Sequence, residues 1–111
     1  MEELSWSEFA KVEIRTGTVV EAKVFKEART PAYQIKIDFG SFGIKKSSAQ
    51  ITDYYTPESL IGKQVVAVIN FPKKQIGPFM SECLVLGSVS EDGKVTLLQT
   101  ERTTENGERI S

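Results

Sequence analysis

Between Tyr33 and Phe39 the chain reads YQIKIDF, with apolar and polar residues alternating without a break. A period of two puts Tyr33, Ile35, Ile37 and Phe39 on one side of an extended chain and Gln34, Lys36 and Asp38 on the other. That is a strand with one face buried and one face in water. Such a strand is stable only beside others, and the rest of the chain supplies them. Ile14–Phe25 is rich in β-branched residues, and Gly17 inside it marks a bulge or bend. A tight connection at Gly40–Gly43 leads into a third strand, Ile44–Gln50. Gln64–Asn70 is apolar almost throughout, which implies burial on both faces or nearly so. Glu82–Val89 makes a fifth strand, Asp92-Gly93 is a hairpin turn, and Val95–Gln99 returns.

Two short helices interrupt this β pattern. Ser5-Trp6-Ser7-Glu8 fits a capping box, which predicts a helix running to about Lys11 with Trp6, Phe9 and Ala10 as its apolar contacts. Thr56-Pro57-Glu58-Ser59 predicts a second, with proline in its first turn. The segment beyond Thr100 is polar. Five short strands, a helix between the third and fourth, and added elements at both ends describe an all-β fold. The best match is a five-stranded OB-fold Greek-key barrel with short helices and terminal extensions. SH3-like and other small β-barrels share part of the pattern. With 111 residues and no repeat or linker, residues 1–111 form a single domain.

The composition removes several kinds of chemistry. There is no histidine, hence neither the commonest general base nor the commonest transition-metal ligand. The one cysteine, Cys83, has no partner for an internal disulfide, which suits the cytosol. Within Glu-Cys-Leu-Val-Leu it reads as strand packing. No phosphate-binding or dinucleotide-binding glycine pattern occurs, and Gly40 and Gly43 are explained by a turn. The carboxylates are scattered, with no spacing that suggests acid–base work. The expectation is a protein that is not an enzyme and uses no cofactor or metal. No apolar run approaches the roughly 20 residues that cross a bilayer. The opening MEELSWSEF is acidic and lacks the basic-then-apolar order of a signal peptide. The expected location is therefore the cytoplasm, without membrane insertion.

Function is better sought in Asn70–Gly87, NFPKKQIGPFMSECLVLG. Two lysines stand there among Phe71, Pro72, Ile76, Pro78, Phe79 and Met80. A core is a poor place for unpaired ammonium groups, whereas a binding surface uses both kinds of residue. Phe71, Pro72, Ile76 and Phe79 are candidates to line a peptide-binding cleft. Lys45, Lys46, Ser47, Ser48 and Gln50 on the third strand, with Asn70, Lys73 and Lys74, are candidates for a basic rim or an RNA-binding surface. Each has a plainer reading: Phe71 and Phe79 as core, Asn70 as a turn residue, and the lysines as solvated charges. The net charge of −1 conceals an asymmetry. Eight basic residues face four acidic ones from Lys11 to Lys46, and six acidic face three basic from Glu82 to Ser111. Such a distribution allows a local basic face.

A set of ordered motifs identifies a relationship. They are FAKVEIRTG at Phe9–Gly17, Val19-x-Glu21, Ala28-Arg29-x-Pro31-Ala32, Ile37-Asp38-Phe39-Gly40 and Ser48-Ala49-Gln50-Ile51. Leu60-Ile61-Gly62-Lys63-Gln64-Val65, Val68-Ile69-Asn70-Phe71-Pro72 and Ile76-Gly77-x-Phe79-x-Ser81-Glu82 complete the set. Over nearly its whole length the chain resembles the tRNA-binding-domain superfamily of OB-folds, and within it the export-related, chaperone-like branch. The resemblance implies a homodimer with the terminal elements at its interface. It also implies ATP-independent binding of unfolded secretory precursor proteins, a link to the SecA export motor, and tRNA as a possible ligand of the same face. Ser81-Glu82-Cys83-Leu84 departs from the Ser-x-Gly-Met pattern of many tRNA-binding members, which weighs toward the chaperone-like branch.

Overall fold

The computed structural model describes residues 1–111. Strands β1 (Ile14–Val24), β2 (Tyr33–Asp38) and β3 (Ile44–Ala49) form an antiparallel meander, with a 3-10 turn at Gly40–Phe42. Helix α2 (Pro57–Leu60) precedes β4 (Gln64–Val68), which returns to the other side of β1. The chain then makes a hairpin from β5 (Lys74–Ile76) and β6 (Phe79–Ser81), followed by β7 (Leu84–Val85) against β4. The sheet order is β3-β2-β1-β4-β7, a nearly closed five-stranded barrel of the OB type. A second hairpin, β8 (Gly87–Val89) with β9 (Val95–Leu97), stands beside it.

Alternation in β2 does what its sequence requires. Ile35, Ile37 and Phe39 are at most 1% exposed and pack with Val19, Leu60 and Val65 in the main core. Val65–Val68 is buried at every position, as its unbroken apolar run predicts. Phe25, Ala32 and Phe79 form a smaller core of their own.

Four expectations are corrected by the structure. The irregularity in β1 lies between Val19 and Glu21, while Gly17 pairs in register with Val65. Gly17 is needed for close approach instead: a Cβ there would sit 2.6 Å from Ile37 Cγ2 and 2.7 Å from the Phe39 ring. The stretch after Asn70, whose mixture of apolar and cationic residues reads from sequence as a loop and not as strands, is an ordered β5–β6 hairpin, turned through Gly77 at φ +56°. The fifth strand is split at Leu86, whose N–H donates to Val66 and whose carbonyl accepts from Leu98, so the chain leaves β4 and joins β9. Helix α1 (Trp6–Ala10) has its capping box, yet it buries nothing, and Trp6 is 90% exposed.

The polar tail also has a structural role. Gly107 and Ile110 donate to the carbonyls of Thr16 and Ile14, and Thr16 donates to Glu108. The tail thus covers the start of β1, with Thr18 donating to Asn106 Oδ1 at 2.7 Å. No helix is long and apolar enough to cross a membrane.

Candidate functional site

Strand alternation sorts the KKSSAQ run onto two faces. Ser47 and Ala49 point into the barrel; Ser47 is 1% exposed and its hydroxyl donates to the Cys83 carbonyl at 2.9 Å. Lys46, Ser48 and Gln50 fall on the other face. Ser47 is therefore a core residue and presents no side chain to a ligand. Lys45 shares its parity, is half-buried, and lines none of the cavities that hold the other candidates.

A cleft of about 330 Å³ lies between β3, the β5–β6 hairpin and the approach to β7. Phe71, Pro72, Ile76 and Leu84 supply its apolar surface, and Ser48, Gln50, Lys74 and Glu82 its polar surface. Phe71 is 55% exposed, so its ring is available to a ligand. Three of the four residues expected to form a peptide-binding cleft thus meet here.

Phe79 does not join them. It is buried, its ring lies 5.4 Å from that of Phe25, and Lys46 Nζ sits 5.2 Å from its centroid. Phe79 and Lys46 instead border a neighbouring hollow of about 240 Å³ with Lys23, Lys36, Gln34 and Glu21. Asn70 is a clamp: its Oδ1 accepts the Glu13 N–H at 3.0 Å and its Nδ2 donates to the Lys11 carbonyl at 2.6 Å. These bonds tie the end of α1 to the end of β4.

Glu82, which was not among the sequence candidates, also lines the cleft. Its Oε1 accepts the Lys46 N–H at 3.0 Å, and its Oε2 lies 3.5 Å from Lys73 Nζ. The Lys46 N–H holds this carboxyl below its ordinary range despite partial burial, with Lys73 adding to the effect. The cleft wall therefore carries a negative charge at neutral pH, and Lys73 is engaged by it. Lys74 has no ion-pair partner. The clue in the sequence was Glu82 standing beside Ser81 after the hairpin, but only the fold shows that it reaches β3. Burial pushes the Cys83 thiol up to about 12, so it stays protonated and is a poor nucleophile near neutrality.

Two apolar surfaces lie nearby. A groove of about 370 Å³ runs on from the cleft, sharing Ser48, Gln50 and Leu84 with it and continuing past Val85 and Val89. Around α1, Leu4, Trp6 and Phe9 border a separate hollow of about 310 Å³.

Comparison with known proteins places this geometry among relatives. Residues 14–109 match the family model described as "Putative tRNA binding domain". The crystal structure of chaperone CsaA from Bacillus anthracis str. Ames is 52% identical and superposes with a TM-score of 0.95, over 99% of this chain and 100% of that one. The CsaA chaperone protein from Picrophilus torridus is 47% identical, with a TM-score of 0.91, over 98% and 100%. A methionine–tRNA ligase from Pelodictyon phaeoclathratiforme is 34% identical over 107 residues, 96% of this chain and 15% of the ligase. The chain thus spans about 15% of the length of that curated relative.

Proposed function

The chain belongs to the tRNA-binding-domain family and within it to the CsaA group, and from that premise we propose that it is an ATP-independent, chaperone-like protein that holds unfolded secretory precursors. The observation that carries this reading is the composition of the main cleft. Phe71, Pro72, Ile76 and Leu84 offer apolar surface, and Glu82 sets an ionised carboxylate in the wall. An apolar side chain gains roughly 1.5–3 kcal/mol from full burial there. A phosphate brought to the same place meets a like charge, which is unfavourable.

One such contact is too weak to hold a client once ordering costs are met. A second copy of the chain, docked through the exposed Trp6 and its neighbours Leu4 and Phe9, would present a second cleft. A long unfolded segment touching both gains through effective concentration. In this reading the protein is a cytoplasmic homodimer that releases its weakly held client to the SecA export motor. Lys74 is the cation on the rim of the cleft, and Lys46 borders the neighbouring hollow.

A second reading has its own support. The hollow beside the cleft is lined by Lys23, Lys36 and Lys46, the last of them over the Phe79 ring, and the family model points to tRNA. Lysines there would pair with phosphates, leaving the main cleft for peptide. Lys36 is already engaged by Glu21 at 2.9 Å, which reduces the free charge on this surface.

Parallel binding assays with an unfolded precursor and with bulk tRNA, each at two ionic strengths, separate the two. Phosphate binding through several lysines loses orders of magnitude between roughly 50 and 200 mM salt, whereas apolar capture changes far less. Salt-insensitive precursor binding that is weakened in Phe71→Ala supports the proposal. Precursor binding that survives Phe71→Ala and Ile76→Ala but disappears with salt refutes the apolar cleft.

A further inference from the structure

Strands β3 and β7 are the two ends of the sheet. Every neighbouring pair between them is antiparallel, so β3 and β7 run parallel, and the barrel closes where they meet. Closure is made at one end only. The Glu82 N–H donates to the Lys46 carbonyl at 2.7 Å, the Lys46 N–H to the Glu82 carboxylate, and the Ser48 N–H to Ser81 Oγ at 3.2 Å.

Beyond Ser48 no hydrogen bond joins Ala49–Ile51 to Leu84–Gly87. The outward direction of Lys46 and Ser48 carries, by alternation, to Gln50, and the Gln50 N–H has no partner within the protein. On the other side Leu86 donates to Val66 at 2.8 Å, so alternation turns the main-chain groups of Val85 toward the gap. The cleft and the groove flank this unbonded stretch and share Ser48, Gln50 and Leu84.

Proteins ordinarily cover a strand edge, since its unpaired groups are a template for another chain. Here the edge of β3 is covered by Glu82 and Ser81 and then left open beside two apolar cavities. We propose that the client is held as an added strand: an extended peptide that hydrogen-bonds through its main chain to Gln50, at the open edge just past the end of β3. Its alternate side chains enter the Phe71–Ile76 cleft and the Val85–Val89 groove.

Charge selects the occupant further. The Glu82 carboxylate is engaged by Lys73 and the Lys46 N–H, while Lys74 on the cleft rim has no counter-ion. The complementary ligand is an extended apolar peptide with a carboxylate at the Lys74 end. This inference rests on the peptide-holding reading and specifies how that site grips its ligand. A nucleic acid strand has no main-chain amides to offer β3.

The test is a scan with a fluorescent ten-residue peptide of alternating leucine and serine carrying one aspartate at an end. The main-chain nitrogens are methylated one at a time, and affinity for the full chain is measured by anisotropy. Amide exchange at Gln50 is followed with and without the parent peptide. Strand addition requires an alternating pattern: methylation at one parity weakens binding by about 5-fold or more, the other parity is tolerated, and Gln50 exchange slows on binding. Removing the aspartate should weaken binding to the wild-type chain but not to Lys74→Ala. Tight binding that tolerates methylation everywhere, with Gln50 exchange unchanged, overturns strand addition and leaves the peptide-holding reading standing. No binding of the parent peptide overturns both.

Discussion

Replacing Glu82 with alanine removes the carboxylate that joins β3 to the segment entering β7. Two interactions are lost, and their sizes differ. The Lys46 N–H, bound at 3.0 Å in a partly buried position, is left without its acceptor, which costs about 1–3 kcal/mol. The Lys73 contact at 3.5 Å involves a lysine whose side chain is 67% exposed, and pairs of that kind contribute about 0–1 kcal/mol. Destabilisation should therefore be about 1–3 kcal/mol, most of it from the main-chain bond. Lys73→Ala alone should cost little. Urea unfolding at pH 7 measures both.

The pH dependence provides a sharper check. The folded-state pKa of Glu82 is depressed. Its contribution is therefore fully present above the unfolded carboxyl value of about 4.3. It is lost as pH falls through the lower folded value. Glu82→Gln keeps an oxygen acceptor but cannot ionise. The stability difference between wild type and Glu82→Gln should be largest near neutrality and shrink as pH drops below about 4.3. A gap that widens in acid, or equal stability of wild type and Glu82→Ala at pH 7, would refute the assignment of this carboxylate as the latch.

Three further outcomes are expected. Phe71→Ala should weaken precursor binding by about 5- to 30-fold, from the loss of roughly 1–2 kcal/mol of apolar contact, while leaving the unfolding midpoint almost unchanged, because the ring is 55% exposed; calorimetry reads both. Gly17→Ala should destabilise the barrel by about 1–3 kcal/mol through overpacking, since the added methyl would meet Ile37 and Phe39 inside 3 Å; chemical denaturation measures it. Trp6→Ser should lower the mass seen by light scattering without altering the far-ultraviolet spectrum, because Trp6 is 90% exposed in the single chain. A mass unchanged on dilution and by this substitution would remove Trp6 from any interface.

Much of the barrel was readable because periodicity and burial are coupled. YQIKIDF can place its apolar side chains together only as a half-buried strand, and β2 covers Tyr33–Asp38, one residue short of the Tyr33–Phe39 read from the sequence. The capping box at Ser5 was equally plain, since its bonds are local. What escaped were features set by distant partners. Nothing around Gly87 announces that a Cβ there would strike Val95 and Thr96, or that Leu86 leaves β4 for β9. The polar tail gave no hint that its main chain pairs with Ile14 and Thr16, because main-chain bonds need no particular side chain.

The same distinction governs the site. Phe71, Pro72 and Ile76 were found because apolar residues beside lysines are conspicuous in sequence, and the fold brings them together. Ser47 and Ser48 look alike in sequence, and one position of strand parity sends the first into the core and the second to the cleft. Phe79 belongs to a core with Phe25 for a related reason: the hairpin, unseen in sequence, turns its ring inward.

Glu82 then acts in two ways with one side chain. By accepting the Lys46 N–H it closes the barrel where β3 and β7 meet, and by engaging Lys73 it removes one cation from the rim. On the peptide-holding reading, a phosphate beside that carboxylate meets a like charge, and moving the carboxylate away gives up the Lys46 N–H bond, one of the three that close the barrel. A peptide meets neither cost, because its main chain can use the edge that the latch leaves open at Gln50. In the proposed reading, ligand preference and barrel closure share a single carboxylate. A variant that abolishes the latch should therefore become both less stable and more tolerant of tRNA, a pairing of effects that a mere surface charge would not produce.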